Sequence, residues 1–199
     1  MNEADAARLL IAESAHDRRT RIFCGLLATD SGLGTTGMTV VGGSAIEIYT
    51  EGDYVSRDLD LVVDSRAKVA AVLSRWGFKD EGKLWSKQAW DLYPDVMEQK
   101  PSGSWRLTQI VSTPLGSFRI SGVEDLIVRR VRESIAWQHR EEAFAQAVLL
   151  ARHSGKDRVD WDYIDFFATR EGWARQLAEL RRVARRSPGS GGPEKVRTR

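Results

Sequence analysis

The chain has 199 residues and a mass of 22.4 kDa; 42% of its residues are hydrophobic and 29% are charged. This balance is typical of a globular protein and excludes a chain that is disordered throughout. No apolar run reaches the roughly 20 residues that a membrane-spanning helix needs, and acidic residues stand near the start, where a secretion signal carries basic ones. We therefore expect a cytoplasmic protein with no membrane partner.

The scarcity of cysteine and histidine limits the metal chemistry that is open to this chain. One cysteine, Cys24, excludes an internal disulfide, and three scattered histidines are too few for a Cys/His zinc site. We interpret Cys24 as a buried packing residue and the histidines, including His16, as surface residues. Any bound metal ion would then be held by carboxylates.

Charge is spread unevenly along the chain. The formal net charge is +2, yet residues 175–199 hold eight Lys or Arg against two acids, so the rest of the chain is net acidic. The arginines over residues 181–186 could bind RNA phosphates, or they could simply form a solvated helix end where cations are favourable. The sequence favours neither role. Most tryptophans are predicted to be core residues, with Trp85 and Trp105 as candidates for base stacking.

The first part of the chain predicts alternating helices and strands. In chain order it predicts a helix broken or bent near His16, a loop, a strand, a glycine turn, a helix, a strand, a helix and two or three more strands. These elements fall on residues 2–29, 31–37, 38–41, 42–44, 45–49, 58–63, 66–76, 84–92, 106–112 and 117–120.

Helical spacing dominates the rest of the chain. Helices are predicted over residues 123–137, 141–153, 161–169 and 173–185. The glycine- and proline-rich end, which is also basic, predicts a disordered tail. We therefore expect an α/β or α+β domain with a mixed sheet over 1–121, a helical bundle over 122–186 and a tail over 187–199.

The residues that most clearly predict a binding site are the two glycines of a turn, Gly42 and Gly43, and a pair of acids, Asp58 and Asp60. Gly42 and Gly43 follow a buried strand and allow close approach of a ligand to the backbone, while a helix beginning at Ser44 would offer N–H groups to a phosphate. Asp58 and Asp60 lie two apart on the next strand, so their side chains share a face and suit a hard cation such as Mg²⁺. Together these residues favour a site for a nucleoside triphosphate.

This pattern resembles the polymerase-beta-type nucleotidyltransferase superfamily. The residues that carry the resemblance are the hydrophobic residue before Gly42-Gly43-Ser44, a gap over 45–57, and the run Asp58-Leu-Asp60-Leu. The wider pattern, GGSA with SRDLDLVV and a later SGVEDLIVRR, looks most like the minimal nucleotidyltransferase-like families that include toxins of abortive-infection toxin–antitoxin systems.

The resemblance implies two-metal transfer of an NMP from an NTP to a hydroxyl acceptor, with Mg²⁺ or Mn²⁺ as cofactor. The acceptor would be RNA, tRNA or a protein, and the partner a cognate toxin or antitoxin. Asp58, Asp60 and a third carboxylate would hold the metal, and Gly42, Gly43 and Ser44 would bind the nucleotide. The third carboxylate is Asp91 by position, with Asp95 and Glu98 as alternatives, and the cations that offset phosphate charge are Arg57, Arg129 or Arg130.

The same residues leave non-catalytic interpretations open. The fold could serve as a nucleotide- or partner-binding module without activity, and the uncertain third carboxylate favours that alternative. An RNA-binding protein working through its basic arm is a third class.

Overall fold

The computed structural model describes residues 1–98, 108–136, 140–155 and 159–185. The chain divides into two compact units, Met1–Ser121 and Gly122–Arg199. The predicted tail over 187–199 lies outside the described residues.

The first unit holds a mixed five-stranded sheet with the order β5-β2-β1-β7-β6. Strands β1 and β2 are antiparallel, β2 and β5 are parallel, β1 and β7 are parallel, and β6 and β7 are antiparallel. The strands are β1 (Met38–Val40), β2 (Leu59–Val63), β5 (Pro94–Glu98), β6 (Gln109–Thr113) and β7 (Gly116–Ile120). A separate two-stranded ribbon pairs β3 (Lys79–Asp80) with β4 (Trp85–Ser86). The expected mixed α/β class with a mixed sheet is confirmed.

The helices of this unit are α1 (Glu3–Ile11), α2 (His16–Asp30), α3 (Gly34–Gly37), α4 (Gly42–Tyr49) and α5 (Arg66–Arg75). Burial explains why these segments fold as they do, because Phe23, Cys24 and Leu27 of α2 are fully buried, as are Val40 of β1 and Leu61 of β2. Cys24 is thus a packing residue, and burial raises the pKa of its thiol.

The predicted strand over 84–92 is confirmed only in its first half. β4 forms there, with isolated β-bridges at Leu84 and Lys87 beside it. A 3₁₀ helix (Gln88–Trp90) follows, and Asp91 then takes a left-handed conformation with φ of 51°. The alternating apolar residues that favoured a strand are buried by other means, since Trp90 packs against Trp76 and Phe78. The helix predicted from Ser44 begins two residues earlier, at Gly42.

The described part of the second unit consists of α6 (Val123–Ala136), α7 (Arg140–His153), α8 (Trp161–Glu171) and α9 (Ala174–Ala184). Its core holds Val131, Ala147, Leu150, Ile164 and Leu180, each fully buried. No helix in the described residues of either unit is long and apolar enough to cross a membrane.

Candidate functional site

The glycine turn and Asp60 are in direct contact. Gly42 has φ of +59°, and a Cβ atom at that position would lie 2.2 Å from Asp60 Oδ2, so any other residue there would strain the backbone and displace the carboxylate. The N–H of Gly43 donates a hydrogen bond of 3.1 Å to the same carboxylate oxygen. The antiparallel pairing of β1 with β2 brings these residues together, with the Val41 N–H bonded to the Asp60 carbonyl.

Ser44 organises the backbone of the acidic pair. Its hydroxyl donates to the Asp58 carbonyl at 2.8 Å and accepts from the Asp60 N–H at 3.0 Å. The Ser56 hydroxyl donates to the same Asp58 carbonyl at 2.8 Å. The predicted nucleotide-binding residue Ser44 therefore has its hydroxyl already engaged within the protein: the hydroxyl is buried and fixes the start of β2, while Asp58 is exposed and Asp60 is half-buried.

Asp91 reaches the site from a turn and not from a strand. Its side chain is 64% exposed and its Oδ2 lies 3.9 Å from Arg19 Nη1. A small cleft of about 10 Å³, open to solvent, is lined by both Asp91 and Asp58. This space is about that of one water molecule and far below the roughly 300–1,000 Å³ of usual ligand sites, so the cleft has room for an ion or a water molecule and not for a nucleotide.

Asp95, one of the two alternatives to Asp91 for the third carboxylate, lies beside Asp60 in the sheet. The parallel register of β2 and β5 pairs these two residues, and paired residues direct their side chains to the same face. Asp95 Oδ2 is 3.4 Å from the Nζ atom of exposed Lys83. Asp95 Oδ1 is buried and has no hydrogen-bond partner among the described residues, a state that usually costs about 1–3 kcal/mol.

Glu98, the other alternative, has an evident structural task. It lies at the far end of β5, opposite Val63, and its Oε2 accepts from the Arg66 N–H at 3.0 Å, at the start of α5. Of the three carboxylates considered for the third position, Asp95 alone combines the register of Asp60 with an unsatisfied buried oxygen.

The donor atoms suit a hard cation but are not grouped as a finished metal site. Within the residues that the structure describes, no three His, Cys, Asp or Glu side chains form a group that could hold a metal ion. Asp58, Asp60 and Asp95 nevertheless supply carboxylate oxygens only, which is the ligand chemistry that Mg²⁺ prefers.

An ion pair between His16 and Glu47 lines the same cleft, and sequence reasoning missed it. His16 Nδ1 lies 2.5 Å from Glu47 Oε1, and His16 Nε2 lies 3.2 Å from the Asp91 carbonyl. The second carboxylate oxygen of Glu47, a residue only 1% exposed, accepts from the Ser56 N–H at 3.1 Å. The hydrogen bond to Glu47 raises the pKa of His16 against the opposing effect of burial.

The His16–Glu47 pair therefore connects α2 with α4, and it also contacts the backbone of Asp91 and of Ser56. The interpretation of His16 as a surface residue is wrong, because its side chain is only 23% exposed. The available signal was Glu47 itself, a charged residue between Ile46 and Ile48 on a largely apolar helix.

The predicted cations have other partners. Arg129 Nε lies 3.0 Å from Glu133 Oε1, and Arg130 pairs with the same carboxylate. Both arginines belong to the second unit, and their role in nucleotide binding stays a prediction. Arg57, the third predicted cation, lines the cleft beside Asp58.

Comparison with protein-family models, curated proteins and solved structures finds no match for this chain. The residues and their geometry are therefore the whole basis for a functional proposal.

Proposed function

We propose that the chain is a Mg²⁺-dependent nucleotidyltransferase with a nucleotidyltransferase-like first unit, which moves an NMP from an NTP to a hydroxyl of RNA, tRNA or protein. The observation that carries the proposal is the contact of the Asp60 carboxylate with the Gly42–Gly43 turn. It joins an acid to the start of a helix, where N–H groups have no acceptor within the helix. A cation on the acid and a phosphate on the turn would then neutralise each other.

Asp58, Asp60 and Asp95 would hold the metal. The orphaned Asp95 Oδ1 supports this assignment, because a cation satisfies a buried carboxylate oxygen that finds no donor in the described part of the chain. When bound, Mg²⁺ supplies charge neutralisation of the phosphates and a lowered pKa at the acceptor oxygen. Asp91 remains an alternative third carboxylate, reaching the cleft from its turn.

The chain's own residues would orient the phosphates and fix the acids. The first turn of α4 presents N–H groups to an anion, and the Ser44 and Ser56 hydroxyls hold the Asp58 backbone in place. Arg57 in the cleft, or Arg129 or Arg130, would offset charge that develops on the leaving pyrophosphate. In a cytoplasmic setting the reaction fits a component of a toxin–antitoxin pair.

The test is transfer of label from each α-³²P NTP, with Mg²⁺ or Mn²⁺, to total RNA or to protein from a lysate. The wild type should label an acceptor, and the Asp58→Ala/Asp60→Ala variant should not. Equal labelling by both proteins, or none by either with any NTP, would contradict the proposal.

Three single variants identify the third carboxylate. Asp95→Asn should abolish transfer, Asp91→Asn should retain most of it, and Glu98→Gln serves as the control for a carboxylate on the same strand as Asp95. Loss with Asp91→Asn and retention with Asp95→Asn would assign the role to Asp91.

A second candidate is a non-catalytic module of the same fold that binds a nucleotide or a partner. The small cleft and the use of Asp60 as a partner for Gly43 favour it. Such a module would bind an NTP in a calorimetric titration but release no pyrophosphate with any acceptor.

A further inference from the structure

A pocket in the second unit combines an aromatic ring with two guanidinium groups. Ala151 of α7, Trp161 at the start of α8, Arg181 and Ala184 of α9, and Arg185 line it. Its cavity has a volume of about 230 Å³ and is partly open to solvent. This volume is below the roughly 300–1,000 Å³ of sites that enclose a whole ligand, so the pocket has room for part of a nucleotide, such as its base.

Trp161 differs from the other tryptophans whose side chains the structure describes. Trp76, Trp85, Trp90 and Trp173 are between 0% and 4% exposed, whereas Trp161 is only partly buried. The expectation that Trp85 stacks on a base is thus not supported by its burial, and Trp105 lies outside the described residues. An indole left open beside a pocket is a surface for stacking and not a piece of core.

The guanidinium group of Arg181 lies against the ring of Trp161. Its guanidinium carbon lies 5.0 Å from the centre of the Trp161 ring, a cation–π contact. Asp165 fixes this orientation through a bond of 2.7 Å from Arg181 Nη2 to its Oδ2. The ion pair is partly exposed on both sides, so an arriving phosphate would compete with Asp165 for the guanidinium.

Arg185 supplies a cation that no acid in the described residues neutralises. It is exposed, lines the pocket directly after the end of α9, and has no ion-pair partner within the described part of the chain. The sequence around it is basic over residues 181–186, with Glu179 engaged by Arg182.

We propose that this pocket binds single-stranded nucleic acid, with a base stacked on Trp161 and the adjoining phosphates on Arg181 and Arg185. An acidic peptide would use the arginines but would leave the indole without a planar partner. A duplex would offer phosphates but would keep its bases stacked within the helix. The combination of ring and cations fits a strand whose bases are free. The site uses none of the carboxylates of the first unit.

The experiment is fluorescence anisotropy of labelled single-stranded RNA, DNA of the same sequence and the RNA duplex, titrated with the full chain. We expect both single strands to bind more tightly than the duplex. The single strand that binds more tightly, RNA or DNA, identifies the type of nucleic acid that the pocket recognises. Trp161→Ala should weaken binding about 5- to 150-fold, the equivalent of one lost stacked base, while Trp161→Phe should retain most of the affinity.

Arg185→Gln should lower the slope of log affinity against log salt by about 1, because one phosphate contact is lost. Its matched control is Arg175→Gln, an exposed arginine of α9 outside the pocket, and the control for Trp161→Ala is Phe166→Ala, an exposed ring of α8 outside the pocket. Both controls should bind as the wild type does. Thermal unfolding of each variant separates loss of folding from loss of binding.

Wild-type affinity in Trp161→Phe and Trp161→Ala alike would overturn the proposal, as would equal losses in the two controls. Displacement of RNA by a polyglutamate peptide with no dependence on Trp161 would assign the pocket to acidic proteins instead. Asp58→Ala/Asp60→Ala should bind RNA normally, so failure of the proposed transfer reaction and failure of this site are distinguishable.

Discussion

Replacing Gly42 by alanine tests whether the glycine turn exists to admit the Asp60 carboxylate. The substitution adds one methyl group at a position with φ of +59°, and that methyl group would lie 2.2 Å from Asp60 Oδ2. The carboxylate must move away, which breaks its bond with the Gly43 N–H. The change therefore combines backbone strain with the loss of a charge-assisted hydrogen bond.

The free-energy cost of Gly42→Ala can be estimated from its two parts, the backbone strain and the lost hydrogen bond. A left-handed conformation costs a non-glycine residue about 1–2 kcal/mol, and a hydrogen bond to a charged group contributes about 1.5–3 kcal/mol. We expect Gly42→Ala to lower the free energy of unfolding by about 2.5–5 kcal/mol. Gly34 has φ of +55° and nothing within 4 Å of its would-be Cβ, so Gly34→Ala isolates the backbone part at about 1–2 kcal/mol.

Urea denaturation of the metal-free protein measures both variants, and a double-mutant cycle tests the cause. In the Asp60→Ala background the carboxylate is gone and only the Cβ of residue 60 remains, 3.2 Å from the added methyl group, so Gly42→Ala should cost only slightly more than Gly34→Ala does. If Gly42→Ala costs only as much as Gly34→Ala in the wild type, or keeps its full cost without Asp60, the argument from close contact fails.

Three further substitutions of single carboxylates test the stability of the fold. The first should raise stability, and the other two should lower it by an amount that depends on pH. Asp95→Asn should stabilise the metal-free protein by about 1 kcal/mol, because it removes a carboxylate that has one buried unsatisfied oxygen beside Asp60 and loses only a long ion pair with exposed Lys83; a lower urea midpoint would contradict this. Glu47→Gln should cost about 2–3 kcal/mol, less than the roughly 3–5 kcal/mol of a fully buried pair, since His16 is partly exposed. The pKa of His16 is raised above 6.5, so this cost should be complete below pH 6.5 and shrink as pH rises through the raised value; a cost that grows with pH would contradict it. Hydrogen bonds from Arg132 lower the pKa of Glu171 from 4.5 to about 2, so the stability lost in Glu171→Gln, followed by circular dichroism, should be complete above pH 4.5 and vanish towards pH 2.

Local patterns were enough to predict the central motif of the first unit. The apolar run ending in Gly42 and the alternation around Asp60 have short-range causes, namely burial of one strand face and the turn chemistry of glycine. The β1, α4 and β2 elements accordingly lie within a few residues of their predicted bounds. The largest departure is the N-terminal limit of α4, where two glycines were interpreted as a turn before the helix.

Long-range relations could not be predicted from the same patterns. The pairing of Asp60 with Asp95 depends on the register of β2 and β5, strands that are separated by α5 and the β3–β4 ribbon. The sequence alone therefore gave Asp91 as the third carboxylate, with Asp95 and Glu98 as alternatives. The partnership of His16 with Glu47 likewise joins residues 31 apart, and an isolated histidine on a polar helix carries no sign of it.

The Asp60 contact has a structural role, and under the proposed function the same electrostatics would give it a second one. The carboxylate stabilises α4 because the first N–H groups of a helix carry partial positive charge and have no acceptor within the helix. A triphosphate would be attracted to those same N–H groups, and would meet the negative charge of Asp60 beside them. The two anions repel unless a cation lies between them. Under the proposed function, the dependence on a divalent metal thus follows from the position of Asp60, because without the cation the resident carboxylate and the incoming phosphate compete for one helix end.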